Sequence, residues 1–129
     1  MAYEYTDQTK ISLPAGADLS AKQYCLVKLS GTGVVACSAV TDVPIGVLQN
    51  APTSGKTAEI AIAGISKIKV GAAISAGTLI GTTTAGLALA LTPGTDTTKY
   101  IIGQIVTASS AANDIVTATI NALNPSRAA

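Results

Sequence analysis

Short runs of aliphatic and β-branched residues recur along this chain, and they recur twice in the same order. The first half carries Leu13-Pro14-Ala15-Gly16, Leu26-Val27, Gly33-Val34-Val35-Ala36, Ile45-Gly46-Val47-Leu48 and Glu59-Ile60-Ala61-Ile62. The second carries Ile74-Ser75-Ala76-Gly77, Leu79-Ile80, Gly86-Leu87-Ala88-Leu89, Ile102-Gly103-Gln104-Ile105 and Asp114-Ile115-Val116-Thr117. Order kept across all of these elements favours a duplication over coincidence. Each half then supplies two hairpins, and neither buries its apolar face alone. On this reading Gly46 matches Gly103, Gly33 matches Gly86, and two halves facing each other close one barrel.

The runs alternate with period two, as in Ala58-Glu59-Ile60-Ala61-Ile62-Ala63 and Ile115-Val116-Thr117-Ala118-Thr119-Ile120. Clusters of Gly, Ser, Thr, Asn and Pro punctuate them at about the 8–12-residue spacing of all-β sandwiches and barrels. No window sustains the helical i, i+3, i+4, i+7 pattern, and residues 18–23 allow at most one short turn. The predicted fold is all-β, a small closed or partly open β-barrel consistent with pseudo-twofold duplication of two hairpins. The predicted organisation is an extended N-terminal arm over 1–11, one barrel domain over 12–123, and a plain tail over 124–129.

With no Phe, no Trp and one Met, the core must be built from Ala, Val, Ile and Leu. Charged residues make up 12% of the 129-residue chain, about half of the ~25% usual in soluble domains. A free monomer so poor in charge is weakly defended against association. Part of its surface is therefore expected to be covered by other protein.

Other features exclude function classes. The chain has no histidine, so Ser-His and Cys-His nucleophile systems and the commonest zinc ligand are missing. A net charge of +1 argues against a nucleic-acid surface, which needs a clustered basic face. The uncharged stretch 70–95 is broken by glycines and threonines and lacks the ~20 apolar residues of a membrane helix. Residues 1–8 lack a basic n-region and an apolar h-region, so no export signal is expected. Neither a membrane nor a nucleic-acid partner is predicted.

Individual motifs point to structure more than chemistry. Ser54-Gly55-Lys56-Thr57 ends like a phosphate-binding loop, but Asn50 stands where the first glycine is needed and a strand is predicted to follow. Lys67 and Lys69 share one strand face opposite Ile68 and Val70, which reads as a solvated face that blocks aggregation, with a small anion contact as the alternative. Asp18, Asp42, Asp96 and Asp114 neighbour turn residues, where Asp bonds its own backbone. Cys25 and Cys37 fit no metal or redox spacing and read as free buried thiols, a cross-strand disulfide being the alternative. No catalytic, cofactor or metal-ligating residue is predicted.

Tyr3 and Tyr5 differ in kind. They alternate in a polar leader, so an extended arm presents both rings on one side, either beneath its own barrel or onto a neighbouring subunit. Tyr3, Glu4 and Tyr5 are the candidate partner-contact residues.

The segments Pro44-Ile45-Gly46-Val47-Leu48-Gln49-Asn50, Ala58-Glu59-Ile60-Ala61-Ile62-Ala63-Gly64 and Gly71-Ala72-Ala73-Ile74-Ser75-Ala76-Gly77-Thr78-Leu79-Ile80, followed by Ala85-Gly86-Leu87-Ala88 and Ile102-Gly103-Gln104-Ile105, resemble the capsid cement, or head-decoration, proteins of tailed bacteriophages. The resemblance covers residues 13–120 and implies a compact self-associating β-barrel, commonly a homotrimer, on the outer surface of an icosahedral head. It implies the major capsid protein and self as partners, and neither catalysis nor a cofactor. The expected function is a structural virion protein that cements neighbouring capsid subunits. Alternatives are a subunit of another self-assembling surface structure and a ligand-binding barrel. An enzyme would need a convergent polar pocket, which the scattered carboxylates do not suggest.

Overall fold

The computed structural model describes residues 8–129, and no helix occurs among them. The strands are β1 (Thr9–Pro14), β2 (Leu26–Ser30), β3 (Gly33–Ala36), β4 (Gly46–Leu48), β5 (Thr57–Lys69), β6 (Leu79–Thr82), β7 (Ala88–Ala90), β8 (Tyr100–Ile101), β9 (Gly103–Ile105), β10 (Ile115–Asn121) and β11 (Ser126–Arg127). A nine-stranded antiparallel sheet runs β3-β2-β4-β5-β10-β9-β6-β7 with β1 added on β5, while β8 and β11 form a separate ribbon. The sheet curls, so the architecture is all-β and that of a partly open barrel.

The strand order reads the same from both ends. β2 pairs with β3 and β4, and β6 pairs with β7 and β9. Registers agree as well: Val27 opposes Gly46 and Ile80 opposes Gly103. β5 serves both halves. Its first part pairs with β1 and β4, and its last part pairs with β10, taking the place in the second half that β1 holds in the first. Gly64, at φ 110°, marks the changeover. Each half returns on itself through one parallel bridge, Ala15 to Val34 and Val70 to Ala88. The same bond accompanies each bridge: Gly16 N–H donates to Val34 O, and Gly71 N–H donates to Ala88 O.

These pairings refine the sequence matches. Leu26-Val27 with Leu79-Ile80, and Ile45-Gly46-Val47-Leu48 with Ile102-Gly103-Gln104-Ile105, keep their register. Val34 corresponds to Ala88, so Gly33 corresponds to Leu87, and Gly86 falls one residue earlier, in the turn. Ala15-Gly16 corresponds to Val70-Gly71 and not to Ala76-Gly77. In the last element Ala61 corresponds to Thr119, not Val116, because Gly46 packs on the Ala61 carbonyl as Gly103 packs on that of Thr119. The cause is β5. It ends one repeat and opens the next, so the second repeat starts before Ile74. The two halves share one curled, partly open sheet that carries two cores.

Alternation along the strands sorts the side chains. Val27, Val34, Leu48, Ala58 and Ile60 fill the first core. Ile68, Val70, Ile80, Ile102, Ile105, Val116 and Ile120 fill the second, and Leu26, Cys37 and Val47 from the first half join them. At about 1.5–3 kcal/mol for each fully buried Val, Leu or Ile, these residues carry the stability. Gly46 and Gly103 are required by close approach, since a Cβ at either would overlap the carbonyl oxygen of Ala61 or Thr119.

Both termini differ from expectation. β1 starts at Thr9, so residues 9–11 of the segment read as an arm lie in a strand on β5. The tail 124–129 is not plain: β11 pairs with β8, and buried Ala128 donates its N–H to Lys99 O and accepts from Gly94 N–H. A two-residue strand leaves no periodicity to read.

Candidate interaction surfaces

Tyr3, Glu4 and Tyr5, the predicted partner contacts, lie outside the described residues. The other singled-out residues can be placed. Gly55 turns the chain at φ 82° and β5 follows directly, so no helix N-terminus faces Ser54-Gly55-Lys56-Thr57. Ile68 and Val70 are fully buried while Lys67 and Lys69 stay half-buried on the other face.

The carboxylates hold loops. Asp42 accepts the N–H groups of Ser38 and Ala39 and pairs with Lys28 Nζ at 2.9 Å. Burial pushes its pKa up, but the Lys28 and backbone bonds outweigh that and hold it below the usual carboxylate range. Asp96, at the equivalent loop, accepts Thr92 N–H and pairs with Lys99, which lower its pKa. Asp114 is lowered by the N–H groups of Ser110 and Ala111, and Asp18 by Ser20. Every one is used by its own loop. Among the described residues no group of His, Cys, Asp or Glu is placed to hold a metal.

Cys25 and Cys37 are free and buried. Val27 opposes Ala36, a register that continues to Cys25 against Ser38 and sends the two thiols to opposite faces of the hairpin. Burial raises both, Cys37 to about 12, which makes it a poor nucleophile.

Two surfaces are unlike the rest. The first is an apolar groove of about 410 Å³ lined by Lys28, Leu29, Val43, Pro44, Ala122 and Pro125. Leu29 is 59% exposed and Val43 44%, and Leu123, between two lining residues, is 63% exposed. Lys28 is neutralised by Asp42, so the groove carries no free charge of its own lining. The second is a cleft of about 210 Å³ lined by Ser20, Ala21, Gln23, Tyr24, Lys69 and Ile115. Lys67 Nζ lies 5.7 Å from the Tyr24 ring centroid, a cation–π contact. Tyr24 has φ 66°, a left-handed conformation that a bulky residue adopts at a cost.

Sequence reasoning missed both. Leu29 and Val43 are ordinary aliphatics in strand-and-turn context, and only the chain path leaves them uncovered. Tyr24 carried one available signal: it precedes the first β2 residues as Gly77 precedes those of β6.

No protein-family model matches the sequence, and no curated protein is similar to it. Among solved structures, the chain is similar to the N-terminal base of the head fibre gp8.5 of bacteriophage phi29. The TM-score is 0.62 at 16% identity, over 89% of this chain and 95% of the other. At that identity the likeness shows a shared fold. It spans nearly the whole of both chains.

Proposed function

We propose that the chain is a structural protein of a phage virion, attached to the outer surface of the assembled head, where it clamps neighbouring major-capsid subunits. The observation that carries this reading is the fold shared with a head-fibre base over almost the full length of both chains. The charge-poor composition and the exposed apolar groove support it, because both suit a protein covered by neighbours. Filled aliphatic cores leave little room for a ligand inside the curled sheet, which weighs against a carrier. The reading is non-catalytic, and the groove is the candidate face for self-association as a homotrimer.

The mechanism is linkage. A protein that binds the assembled shell and not its dissociated subunits stabilises the shell in proportion to the logarithm of its free concentration. The test is co-sedimentation with undecorated heads of the parent phage. Saturable binding and a higher disruption temperature of the heads are expected; pelleting no greater than that of an unrelated protein sinks the proposal. Leu29→Asp with Val43→Asp should abolish oligomers on the shell if the groove is the self-contact.

A further inference from the structure

We infer that the Tyr24 cleft is a docking site for an acidic, carboxylate-bearing stretch of a partner polypeptide. The first ground is charge. Among the described residues the ion pairs engage Lys28 and Lys99, leaving Lys67 and Lys69 without a carboxylate. Both project from the same face of β5, and Ile115, directly opposite Lys69 on β10, adds an exposed apolar contact. The lining contains no Asp or Glu; the carboxylate nearest to Ser20 in the chain, Asp18, is held by Ser20 itself, and Gln23 is tied to Gln49 O, which leaves the lysines as the charged groups of the cleft. Two unpaired ammonium groups above a small polar cleft complement side-chain carboxylates.

The second ground is the comparison inside the molecule. Tyr24 N–H donates to Leu48 O as Gly77 N–H donates to Ile105 O, so the two residues occupy one position of the repeat. Both have positive φ, 66° for Tyr24 and 87° for Gly77. The fold asks for glycine there. The first half instead carries an aromatic ring, held over a lysine, at a cost in backbone strain. By the same correspondence Lys67 and Lys69 match Ser12 and Pro14 of β1, and Ile115 matches Thr57. The corresponding positions are small or uncharged, and a Cβ at Gly77 would meet only Gln104; the ring, the two cations and the isoleucine come together at Tyr24 alone. The fold imposes the conformation, so what points to binding is the choice of a half-buried tyrosine where glycine would serve without strain.

The site is held ready. Lys69 N–H donates to Tyr24 O at 2.9 Å, joining the ring's backbone to β5. Lys22 Nζ is tied to Ala85 O, which fixes the far side of the turn. Buried Ser66 beneath Lys67 accepts from Gln49 and donates to Lys67 O, so the strand carrying both lysines is braced from below.

This inference goes beyond head attachment and is tested without heads. The probe is poly-L-glutamate, titrated at low ionic strength against the full chain, with poly-L-lysine as the opposite-charge control. Wild type should bind poly-L-glutamate and release it as salt rises. Lys67→Glu with Lys69→Glu should weaken binding by about tenfold or more. Lys10→Glu with Lys56→Glu, the same charge change on exposed lysines elsewhere, should weaken it less than about twofold. Equal losses in the two double variants mean net charge alone is read, and the inference fails. Should the glutamate pair unfold the chain, Lys67→Gln with Lys69→Gln is compared with Lys10→Gln with Lys56→Gln, and the larger loss is again expected at Lys67 and Lys69. Tyr24→Gly should weaken binding about threefold with an unchanged melting temperature; undiminished binding overturns the role of the ring. A chain that pellets with heads but ignores poly-L-glutamate sinks this inference and leaves the head reading intact, and the reverse result does the opposite.

Discussion

The two halves share a backbone plan and differ in what covers it. Ile45 N–H donates to Val27 O, and Ile102 N–H donates to Ile80 O, so Val43-Pro44 and Tyr100-Ile101 are the same place in the repeat. In the second half that place is β8, sealed by β11 from the chain's own tail. In the first half Pro44 has no N–H to offer a partner strand, and Val43 lines an open groove. One half is finished by the molecule itself. The other is left with an apolar surface and, at the turn before its first hairpin, a basic aromatic cleft. The two frames are equivalent in backbone, and the residues by which they differ are the ones on which the two candidate surfaces rest.

The largest effect should come from what the halves hold in common. Gly46→Val and Gly103→Val each drive a side chain into a backbone carbonyl of the neighbouring strand, and each should cost about 3 kcal/mol or more. Urea unfolding checks this. Similar losses at the two sites sharpen the equivalence, and tolerance at either one breaks it.

Removing residues 124–129 should act chiefly on the second half, with Pro125 also lost from the wall of the first-half groove. It strips the backbone bonds of Ala128 and the β11–β8 ladder, for a loss of about 2 kcal/mol at roughly 1 kcal/mol per net hydrogen bond. Hydrogen exchange should rise at residues 99–101 and stay unchanged at residues 33–36 of β3. Uniform loosening would contradict a local role.

Asp42→Ala should cost about 1 kcal/mol, because it leaves the Ser38 and Ala39 N–H groups and Lys28 without their acceptor. The carboxyls of Asp18, Asp42, Asp96 and Asp114 all lie below their ordinary values. A depressed native pKa means the unfolded chain takes up protons first. Their contribution is therefore complete above about pH 4, the unfolded value, and is lost as pH falls through the lower native values. Melting temperature should be flat near neutrality and drop in acid, with a shallower drop in Asp42→Ala. An unchanged acid profile in that variant would remove Asp42 from the set.

The smallest effect is the most discriminating. Tyr24→Gly should leave stability within about 0.5 kcal/mol, since lost contact and relieved strain oppose each other. Gly77→Tyr should cost about 1 kcal/mol, although its Cβ would meet only Gln104 Nε2, at 4.0 Å. Calorimetry on the pair reads the strain that one half tolerates and the other avoids.

Much of the frame was legible in the chain. Period-two runs such as Ala58-Glu59-Ile60-Ala61-Ile62-Ala63 announce strands because burial on one face selects alternate residues. The matched Ile-Gly pairs at Ile45-Gly46 and Ile102-Gly103 announce the repeat, because close strand approach admits only glycine at those points. The registers of the remaining elements were not legible. A low-complexity aliphatic sequence allows several alignments, and β5 is long enough to belong to both repeats. Neither candidate surface could be read ahead of the structure, since an aliphatic residue signals its tendency to be buried and not the path of the chain that would bury it.

Local pattern was enough for the all-β class, the aliphatic core, the two-fold repetition and the loop-holding role of the aspartates. These follow from side-chain alternation, residue size, and the reach of a carboxylate to its own turn. Long-range packing was needed for the rest: that the curled sheet carries two cores, that residues 126–128 seal one edge, and that Tyr24 meets Lys67. Each of these depends on contacts between residues far apart in the chain. Which distant segments meet is set by the free energy of the whole packed sheet, and no local pattern encodes it.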